Sequence, residues 1–223
     1  MKKVLIIIPA YNEARRLEHL LKALKTSTLD VLVVDDGSTD GSGDVALAQG
    51  VQLLKNSANS GKGFSLREGF RHAVEHDYEG VLTMDGDGQH SPQDINAFIK
   101  AAEENENCII NGNRMEKTRE MPLIRCYTNR FMSFMISLVC GQKVPDTQCG
   151  FRYIPSGILK DITLTCNDFE IETEILVKAS RKNYTIISIP IKTIYQGETS
   201  HIHPVRDTIK FFSYFFKEIF SKK

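Results

Sequence analysis

The chain has 223 residues, a length that suits one large domain or one domain with a short appendage. Hydrophobic residues make up 41% and charged residues 25% of the chain, and the low counts of glycine (15) and proline (7) exclude collagen-like repeats and intrinsic disorder. Lysine and arginine (28) balance aspartate and glutamate (28). The chain therefore lacks the basic excess that is typical of nucleic-acid-binding proteins, and we expect no nucleic-acid partner.

Cysteine number and the lengths of apolar runs indicate the compartment. The five cysteines are an odd number without a C-x-x-C pair, which predicts reduced thiols and excludes a disulfide framework. The apolar run at 4–8 ends at Pro9, too short for a secretory signal, and no run reaches the roughly 18 apolar residues that cross a bilayer. We therefore expect a cytoplasmic protein, either soluble or peripheral on a membrane surface.

The first half of the chain alternates between strand-like and helix-like patterns. Residues 4–8 form a β-branched run, as in strands that are buried on both faces of a parallel sheet. Leucines then recur at helical spacing between residues 17 and 24. The same alternation predicts strands at 31–34, 51–54, 81–84 and 108–110, and helices at 41–48, 66–74 and 95–102. Repeated β-α-β units predict an α/β fold with a mostly parallel sheet and helices on both faces.

The second half of the chain has a different pattern. It predicts an apolar helix at 123–140, a polar segment at 146–152, a helix at 170–182, a strand at 186–191 and an aromatic-rich helix at 206–220. No internal repeat or linker divides the chain. We therefore predict one domain over residues 1–205, followed by an amphipathic helical appendage over residues 206–223.

The segment after the predicted strand 81–84 carries the strongest chemical signal. It reads Asp-Gly-Asp-Gly-Gln-His over residues 85–90. Glycines on both sides of Asp87 let the backbone turn, so that Asp85 and Asp87 could converge on one ion. Hard oxygen ligands in an open arrangement suit Mg²⁺ or Mn²⁺, with water and phosphates filling the other positions. The alternative is a polar turn with two solvated aspartates.

Polar segments also follow the other strands of the predicted sheet, at the edge where open α/β sheets bind ligands. Asp36 could accept a hydrogen bond from a base or a ribose hydroxyl, or could instead cap a helix or form an Asx-turn. Residues 9–13 could form a wall beside a planar base, or simply end the first strand. Residues 59–63 are glycine-rich and typical of phosphate binding, although they lack the spacing of a P-loop.

Together these segments resemble the family-2 inverting glycosyltransferases of GT-A fold, a Rossmann-like architecture. The resemblance is carried by residues 7–13, 33–40, 59–63 and 85–92, and it extends from about residue 3 to residue 212. Residues 146–152 are similar to the D-x-x-x-G-F-R segment of the branch that includes dolichyl-phosphate mannosyltransferase and other polyprenyl-phosphate glycosyltransferases.

The resemblance implies a nucleotide-diphosphate sugar as the donor. The residues that it places at the nucleotide sugar are Pro9, Tyr11, Glu13, Val34, Asp36, Lys62, Asp85, Gly86, Asp87 and Arg114. It further implies that Asp85, Asp87 and Gln89 hold Mg²⁺ or Mn²⁺, and that Asp87, Arg114 and Asp146 are catalytic. A cation and a guanidinium would both stabilise the charge of a diphosphate leaving group. The alternative for Arg114 is a surface ion pair.

The segment that follows the last predicted strand departs from the mannosyltransferases of this branch. Thr193 stands where they carry an arginine, and residues 200–201 stand where they carry a lysine. The resemblance therefore does not fix mannose as the sugar. His201 or His203 could supply the missing cation near the phosphates, or could be loop residues without that role.

The acceptor decides whether a general base is needed. A lipid phosphate is already anionic, whereas a sugar hydroxyl must lose its proton to a carboxylate. The carboxylates that could serve are Asp146, Asp168, Glu170, Glu172 and Glu174. Glu170 and Glu174 share a helix face at i, i+4 spacing, and for most of this set the sequence favours a solvated acidic face over a catalytic role.

Two helices carry a membrane signal. Residues 206–220 combine five phenylalanines with lysines, as in a helix that lies in a membrane interface, and residues 123–139 could form a companion flanked by Arg119, Arg125 and Arg130. The alternative is that both helices pack on the sheet. We predict a metal-dependent inverting glycosyltransferase, peripheral on the cytoplasmic face of a membrane, with a polyprenyl phosphate as acceptor. A soluble transferase to a sugar hydroxyl and a non-catalytic sugar-nucleotide-binding module are the alternatives.

Overall fold

The computed structural model describes residues 2–116, 121–192 and 194, and in these ranges a seven-stranded sheet carries helices on both faces. The strands are β1 (Val4–Ala10), β2 (Asp30–Asp35), β3 (Gln52–Lys55), β4 (Gly80–Thr83), β5 (Ile109–Asn113), β6 (Arg152–Pro155) and β7 (Ile186–Pro190). The helices are α1 (Ala14–Leu24), α2 (Ser42–Ala48), α3 (Lys62–Glu75), α4 (Ile95–Glu104), α5 (Leu123–Cys140), α6 (Ser156–Asp161) and α7 (Ile171–Arg181). None of the described helices is long and apolar enough to cross a bilayer.

The strands follow the order β3-β2-β1-β4-β6-β5-β7 across the sheet. All neighbours are parallel except β6, which runs antiparallel to β4 on one side and β5 on the other. The predicted α/β fold with a mostly parallel sheet is therefore confirmed. The sequence pattern does not predict β6 or α6, because a four-residue strand that begins with Arg152 and ends with Pro155 has no apolar run to mark it.

Strand β1 lies between β2 and β4 in the sheet, and its residues are buried in the two layers of the core. Leu5 and Ile7 belong to one buried cluster, which α3, α5, α6 and α7 cover. Ile6 and Ile8 point to the opposite face and join the cluster that α1, α2 and α4 cover. Successive residues of a strand face opposite sides of the sheet, so burial on both sides requires the continuous apolar run that the sequence shows.

Helix α5 packs with only one of its faces. Met132, Ile136 and Cys140 are buried against the sheet side of the molecule. The outer face is also apolar, and its exposed members are Leu123, Ile124, Tyr127, Phe131, Phe134 and Leu138. The sequence allows either packing on the sheet or an exposed apolar surface for this helix, and the two faces of α5 combine them.

Several predictions concern residues outside the described ranges. They are the helix at 206–220, the roles of Thr193, His201 and His203, and the flanking position of Arg119.

Candidate active site

The carboxyl ends of β1, β2, β4 and β5 lie along one edge of the sheet, and polar segments follow each of them. Such an edge is where open α/β sheets bind ligands. β1 runs to Ala10, β2 to Asp35 and β5 to Asn113, each one to three residues beyond its predicted end. Backbone pairing in the sheet therefore continues up to the first residues of the predicted site.

Asp85 follows β4 and pairs with Lys62 from the start of α3. The Lys62 Nζ lies 2.6 Å from Asp85 Oδ1 and 2.5 Å from Glu172 Oε1, so one ammonium joins two carboxylates. Burial by itself would lower the pKa of Lys62, but Asp85 and Glu172 outweigh burial and raise it above its ordinary value. Burial would likewise raise the pKa of Asp85, yet Lys62 holds it well below its usual range. Both groups are therefore charged at neutral pH.

Asp87 and Gln89 lie on the turn that follows Asp85. Gly88 adopts a φ of 74°, and the Gln89 backbone N–H donates to Asp87 Oδ1 at 2.9 Å. The backbone carbonyl of Gln89 accepts from the Ile194 N–H at 3.0 Å, which ties the segment after β7 to this turn. The side chains of Asp85, Asp87 and Gln89 are all partly exposed, so they can be reached from solvent.

The chemistry of these donors fits an ion that arrives with a phosphate ligand. Within residues 2–116, 121–192 and 194, no group of three His, Cys, Asp or Glu side chains is arranged to enclose a metal. Mg²⁺ sites in proteins commonly use only one or two carboxylates, with waters and substrate phosphates in the other positions. Two carboxylates and an amide on an exposed turn meet that requirement.

His90 closes this segment on its buried side. Its Nδ1 accepts the backbone N–H of Asp85 at 3.1 Å, and its ring stacks on Phe151 with a centroid separation of 5.0 Å. Burial lowers the pKa of His90 to about 4, so the ring is neutral at neutral pH. His90 therefore holds the backbone at Asp85 and adds no charge there.

Arg114 and Asp146 form a buried, two-pronged ion pair. Asp146 accepts from Arg114 Nε at 2.7 Å, from Nη2 at 2.9 Å and from the Arg114 backbone N–H at 3.0 Å. Arg114 is 6% exposed and Asp146 is 0% exposed, so the pair does not lie at the surface. Burial would raise the pKa of Asp146, but Arg114 outweighs it and lowers the pKa. This geometry favours a positioning role for Asp146 and makes it a weak proton acceptor.

The rest of the segment 146–152 packs behind Asp85 and His90. A Cβ atom on Gly150 would lie 2.7 Å from both carboxylate oxygens of Asp85, so only glycine fits there without a shift. Arg152 is 1% exposed and donates to the backbone carbonyls of Thr147 (2.8 Å) and Glu172. The D-x-x-x-G-F-R segment thus forms the back wall of the site.

The residues predicted at the nucleoside lie around the ends of β1 and β2. Pro9 and Val34 are register partners on adjacent strands, and a Cβ on Gly86 would lie 3.1 Å from the Pro9 carbonyl oxygen. The Tyr11 side chain is 44% exposed at the strand end. Glu13 begins the turn into α1 and pairs with Arg16 at 2.9 Å. The structure therefore brings Pro9, Val34 and Gly86 together.

Asp36 anchors the glycine-rich loop at residues 59–63. Its Oδ1 accepts from Asn56 Nδ2 at 2.7 Å and from the Ser60 N–H at 3.0 Å, and its Oδ2 accepts from the Gly61 N–H at 2.8 Å. These bonds differ from the helix cap or Asx-turn that the sequence analysis offered as an alternative. They fix the loop that carries Lys62.

The carboxylates of α7 do not form a solvated acidic face. Glu172 is 6% exposed and accepts from Lys62, while Glu174 is 0% exposed. Glu174 accepts from Lys178 Nζ at 2.7 Å and from the backbone N–H groups of Thr165 and Cys166. The prediction of a solvated face is therefore wrong for Glu172 and Glu174, because each meets a cation or backbone donors inside the fold.

Two contacts in the site are absent from the sequence analysis. Glu172 and Lys62 are 110 residues apart in the chain, and no spacing signal links them. The stacking of His90 on Phe151 brings the segment 85–90 against the segment 146–152. Neither segment carries a sequence signal that predicts this contact.

Comparisons with known proteins agree with this architecture. The model of the family "Glycosyl transferase family 2" matches residues 5–163. A UDP-N-acetylglucosamine–dolichyl-phosphate N-acetylglucosaminyltransferase of Methanococcus voltae is 30% identical, over 87% of this chain and 86% of the relative. An undecaprenyl-phosphate mannosyltransferase of Micrococcus luteus is 28% identical, over 85% of this chain and 82% of the relative.

A solved structure confirms the fold. The glucosyl-3-phosphoglycerate synthase of Mycobacterium tuberculosis, crystallised with Mn²⁺, UDP and phosphoglyceric acid, superposes with a TM-score of 0.75 at 14% identity. The match covers 99% of this chain and 78% of that one. This match confirms the predicted GT-A fold. The family model and the named relatives confirm the glycosyltransferase activity and the likeness to polyprenyl-phosphate transferases. With a family model matched over most of its length, this chain belongs to glycosyl transferase family 2.

Proposed function

We propose that the protein transfers a sugar from a nucleotide-diphosphate sugar to a polyprenyl phosphate, with inversion at the anomeric carbon. The observation that carries the choice of acceptor is the state of the candidate bases. Three of the five candidate bases, Asp146, Glu172 and Glu174, each accept hydrogen bonds from a buried or half-buried cation. Arg114 lowers the pKa of Asp146, and bonds from Lys178, Cys166 and Thr165 lower the pKa of Glu174. Such carboxylates are poor bases for a sugar hydroxyl, whereas a phosphate oxygen reacts without losing a proton.

The names of relatives support the same acceptor class. Dolichyl phosphate and undecaprenyl phosphate, which appear in the names of two relatives, are both long isoprenoid lipids with one phosphate. In the proposed reaction, the acceptor oxygen forms a bond to the anomeric carbon while the bond to the diphosphate breaks. Attack from the side opposite the leaving group inverts that carbon.

In this proposal, the nucleotide-diphosphate sugar binds at the carboxyl edge of the sheet. Pro9, Val34 and Gly86 form the floor beneath the nucleoside, with Tyr11 and Glu13 beside it and Asp36 holding the loop that carries Lys62. Arg114 meets the diphosphate, and Asp146 keeps its guanidinium in place through two side-chain hydrogen bonds. A fixed guanidinium stabilises the negative charge that develops on the leaving group.

Asp85, Asp87 and Gln89 would hold Mg²⁺ or Mn²⁺, whose chemistry is to neutralise the departing diphosphate as a Lewis acid. The support is the open turn with two carboxylates, together with the Mn²⁺ and UDP bound to a structural neighbour. Lys62 and Arg114 supply further positive charge on the buried side of the site.

We further infer that α5 brings the site to a membrane surface, on the cytoplasmic side. Its outer face exposes Tyr127 (69%), Phe131 (54%) and Phe134 (59%), with Arg130 exposed next to them. Aromatic rings favour the boundary between headgroups and acyl chains, and arginine is attracted to anionic lipids. A lipid-bound phosphate would be met at that boundary.

A labelled-donor assay tests the activity. UDP-, GDP- and dTDP-sugars with a radiolabelled sugar are incubated with the protein, Mn²⁺ and undecaprenyl phosphate, and the organic extract is counted. We expect label in the lipid fraction for one donor, its loss on addition of EDTA, and its loss in Asp87→Ala with an unchanged circular dichroism spectrum. If the lipid fraction is still labelled in excess EDTA, the reaction does not need the metal and that part of the proposal is wrong. If label is transferred to a free sugar and none to the lipid, the acceptor is a sugar hydroxyl and not a polyprenyl phosphate.

A further inference from the structure

A continuous row of buried and partly buried charges joins helix α7 to the end of β4. Glu172 contacts Lys62, and Lys62 contacts Asp85, with N···O distances of 2.5 and 2.6 Å. The exposed fractions of the side chains are 8% for Glu172, 16% for Lys62 and 25% for Asp85. Exposure thus rises toward Asp85, the end of the row that an ion can reach.

The loop that carries Lys62 and the helix turn that carries its partner Glu172 are each fixed by further contacts. The backbone carbonyl of Glu172 accepts from Arg152, which holds the first turn of α7 against the back wall. A Cβ on Gly63 would lie 2.7 Å from the backbone of residues 166–168, so the loop carrying Lys62 is pressed against the segment before α7. The ammonium therefore stays between the two carboxylates.

Lys62 affects a cation at Asp85 in two ways. Its ammonium competes for Asp85 Oδ1, and its charge repels an incoming ion. Glu172 opposes both effects, because it draws one of the three ammonium donors to itself and offsets the charge of Lys62. Glu172 thus favours cation binding without touching the ion.

We propose that Glu172 is a positioning residue that acts through Lys62 to keep Asp85 able to accept a divalent cation. The inference deepens the proposed function and rests on its metal site. It replaces the role of general base that the sequence allows for Glu172. It also explains why a carboxylate from α7 is buried at the end of this row, across Lys62 from Asp85.

The test is the binding of Mn²⁺ alone, measured from the electron paramagnetic resonance signal of the unbound ion. The variants are Glu172→Gln, Lys62→Met and the double variant, with Asp87→Asn to define the site. We expect Glu172→Gln to weaken Mn²⁺ binding by roughly tenfold, because Lys62 then pairs with Asp85 alone. The double variant should bind Mn²⁺ more tightly than the wild type, because no ammonium competes for Asp85.

The effect of Glu172→Gln is compared in the wild type and in Lys62→Met, and this comparison separates a positioning role from a structural one. If Glu172 acts through Lys62, Glu172→Gln changes the Mn²⁺ affinity of Lys62→Met by less than about twofold. An equal loss in both backgrounds would overturn the proposal. The double variant leaves no unpaired charge behind, so it is the variant most suited to fold. If it binds Mn²⁺ no more tightly than the wild type, the proposal is overturned as well.

The proposed metal site can fail on its own. If Asp87→Asn and the wild type bind Mn²⁺ equally, the ion lies elsewhere and the proposed function loses its metal. If Asp87→Asn abolishes binding while Glu172→Gln has no effect, the metal site stands and the role of Glu172 is refuted.

Discussion

The pair formed by Asp146 and Arg114 is buried, and its removal should cost far more than removal of a surface pair. Asp146→Asn keeps the size of the side chain but leaves the guanidinium of Arg114 buried without its counter-charge. We expect a loss of about 3–5 kcal/mol in the free energy of unfolding, because an uncompensated buried charge is strongly unfavourable. Urea denaturation followed by circular dichroism measures it.

Glu18 and Lys22 on α1 provide the matched control. Their N···O distance is 2.6 Å, similar to that of the buried pair, but both side chains are exposed. Glu18→Gln should leave the urea midpoint unchanged within error, since exposed pairs contribute little. Equal losses in the two variants would show that burial is not the cause.

Gly150 is a second residue whose environment allows a clear prediction. In Gly150→Ala the new Cβ would approach both oxygens of Asp85 to 2.7 Å, so the carboxylate must move. We expect turnover and Mn²⁺ affinity to fall about 10- to 100-fold, because a misplacement on the order of 1 Å is costly at a site of this kind. A Mn²⁺ titration and the lipid assay measure the two effects.

Gly157 in α6 is the control for Gly150. A Cβ there meets nothing within 4 Å, so Gly157→Ala should keep full turnover and gain up to about 1 kcal/mol of stability from the helix. Unchanged turnover in Gly150→Ala would mean that Asp85 tolerates the shift.

For single residues, the sequence predicts which side chains belong to the site, but it does not predict which of them contact each other. Asp85 and Asp87 could be selected because they follow a predicted strand, whereas Gln89 and Arg114 are implied by the family resemblance. Glu172 could not be assigned to Lys62, because that contact depends on how the first turn of α7 meets the first residue of α3, and such packing leaves no local pattern in the chain.

Helix α7 is fixed at its first turns by Glu174, which gives the element its own pH dependence. Burial would raise the pKa of Glu174, but bonds from Lys178, Cys166 and Thr165 outweigh burial and hold it below the ordinary value of 4.5. The folded pKa lies below the unfolded one, so the ionised carboxylate stabilises the fold above about pH 4.5. This contribution is lost as the pH falls from 4.5 through the folded value.

Glu174→Gln tests this prediction. The variant should be less stable than the wild type at pH 7, and the difference in the free energy of unfolding should shrink as the pH is lowered below about 4.5. Urea titrations at a series of pH values measure the difference. Curves that run parallel down to pH 3 would contradict the assignment.

Element prediction from the sequence succeeded where hydrophobic periodicity was continuous. The apolar pattern predicts a helix over residues 123–140, and these residues form α5 with the same bounds. It also predicts every described strand except β6 to within a few residues. β6 was missed because its short run mixes Arg152 with Pro155, and its inclusion depends on pairing with β4 and β5 from distant parts of the chain.

For the whole molecule, the outer face of α5 predicts how the protein meets a lipid surface. Phe131→Ser with Phe134→Ser removes two rings that are more than half exposed, so the melting temperature should not fall. We expect binding to vesicles of phosphatidylglycerol and phosphatidylcholine to drop roughly tenfold or more in a flotation assay, because less apolar area enters the bilayer.

Leu47 on α2 is the control, since it is 61% exposed and its helix covers the opposite face of the sheet. Leu47→Ser should leave flotation unchanged. If the α5 variant floats like the wild type, the membrane contact lies elsewhere on the protein.

The antiparallel strand β6 has a consequence for synthesis on the ribosome. It lies between β4 and β5 in the sheet although it follows both along the chain, so a nascent chain can pair β1 to β4 while β4 still has an open side. Translation at roughly 5–20 residues per second leaves that side unpaired for several seconds, until residues 152–155 emerge. During this interval the nascent chain presents a bare strand edge, the feature that invites aggregation or calls for a chaperone.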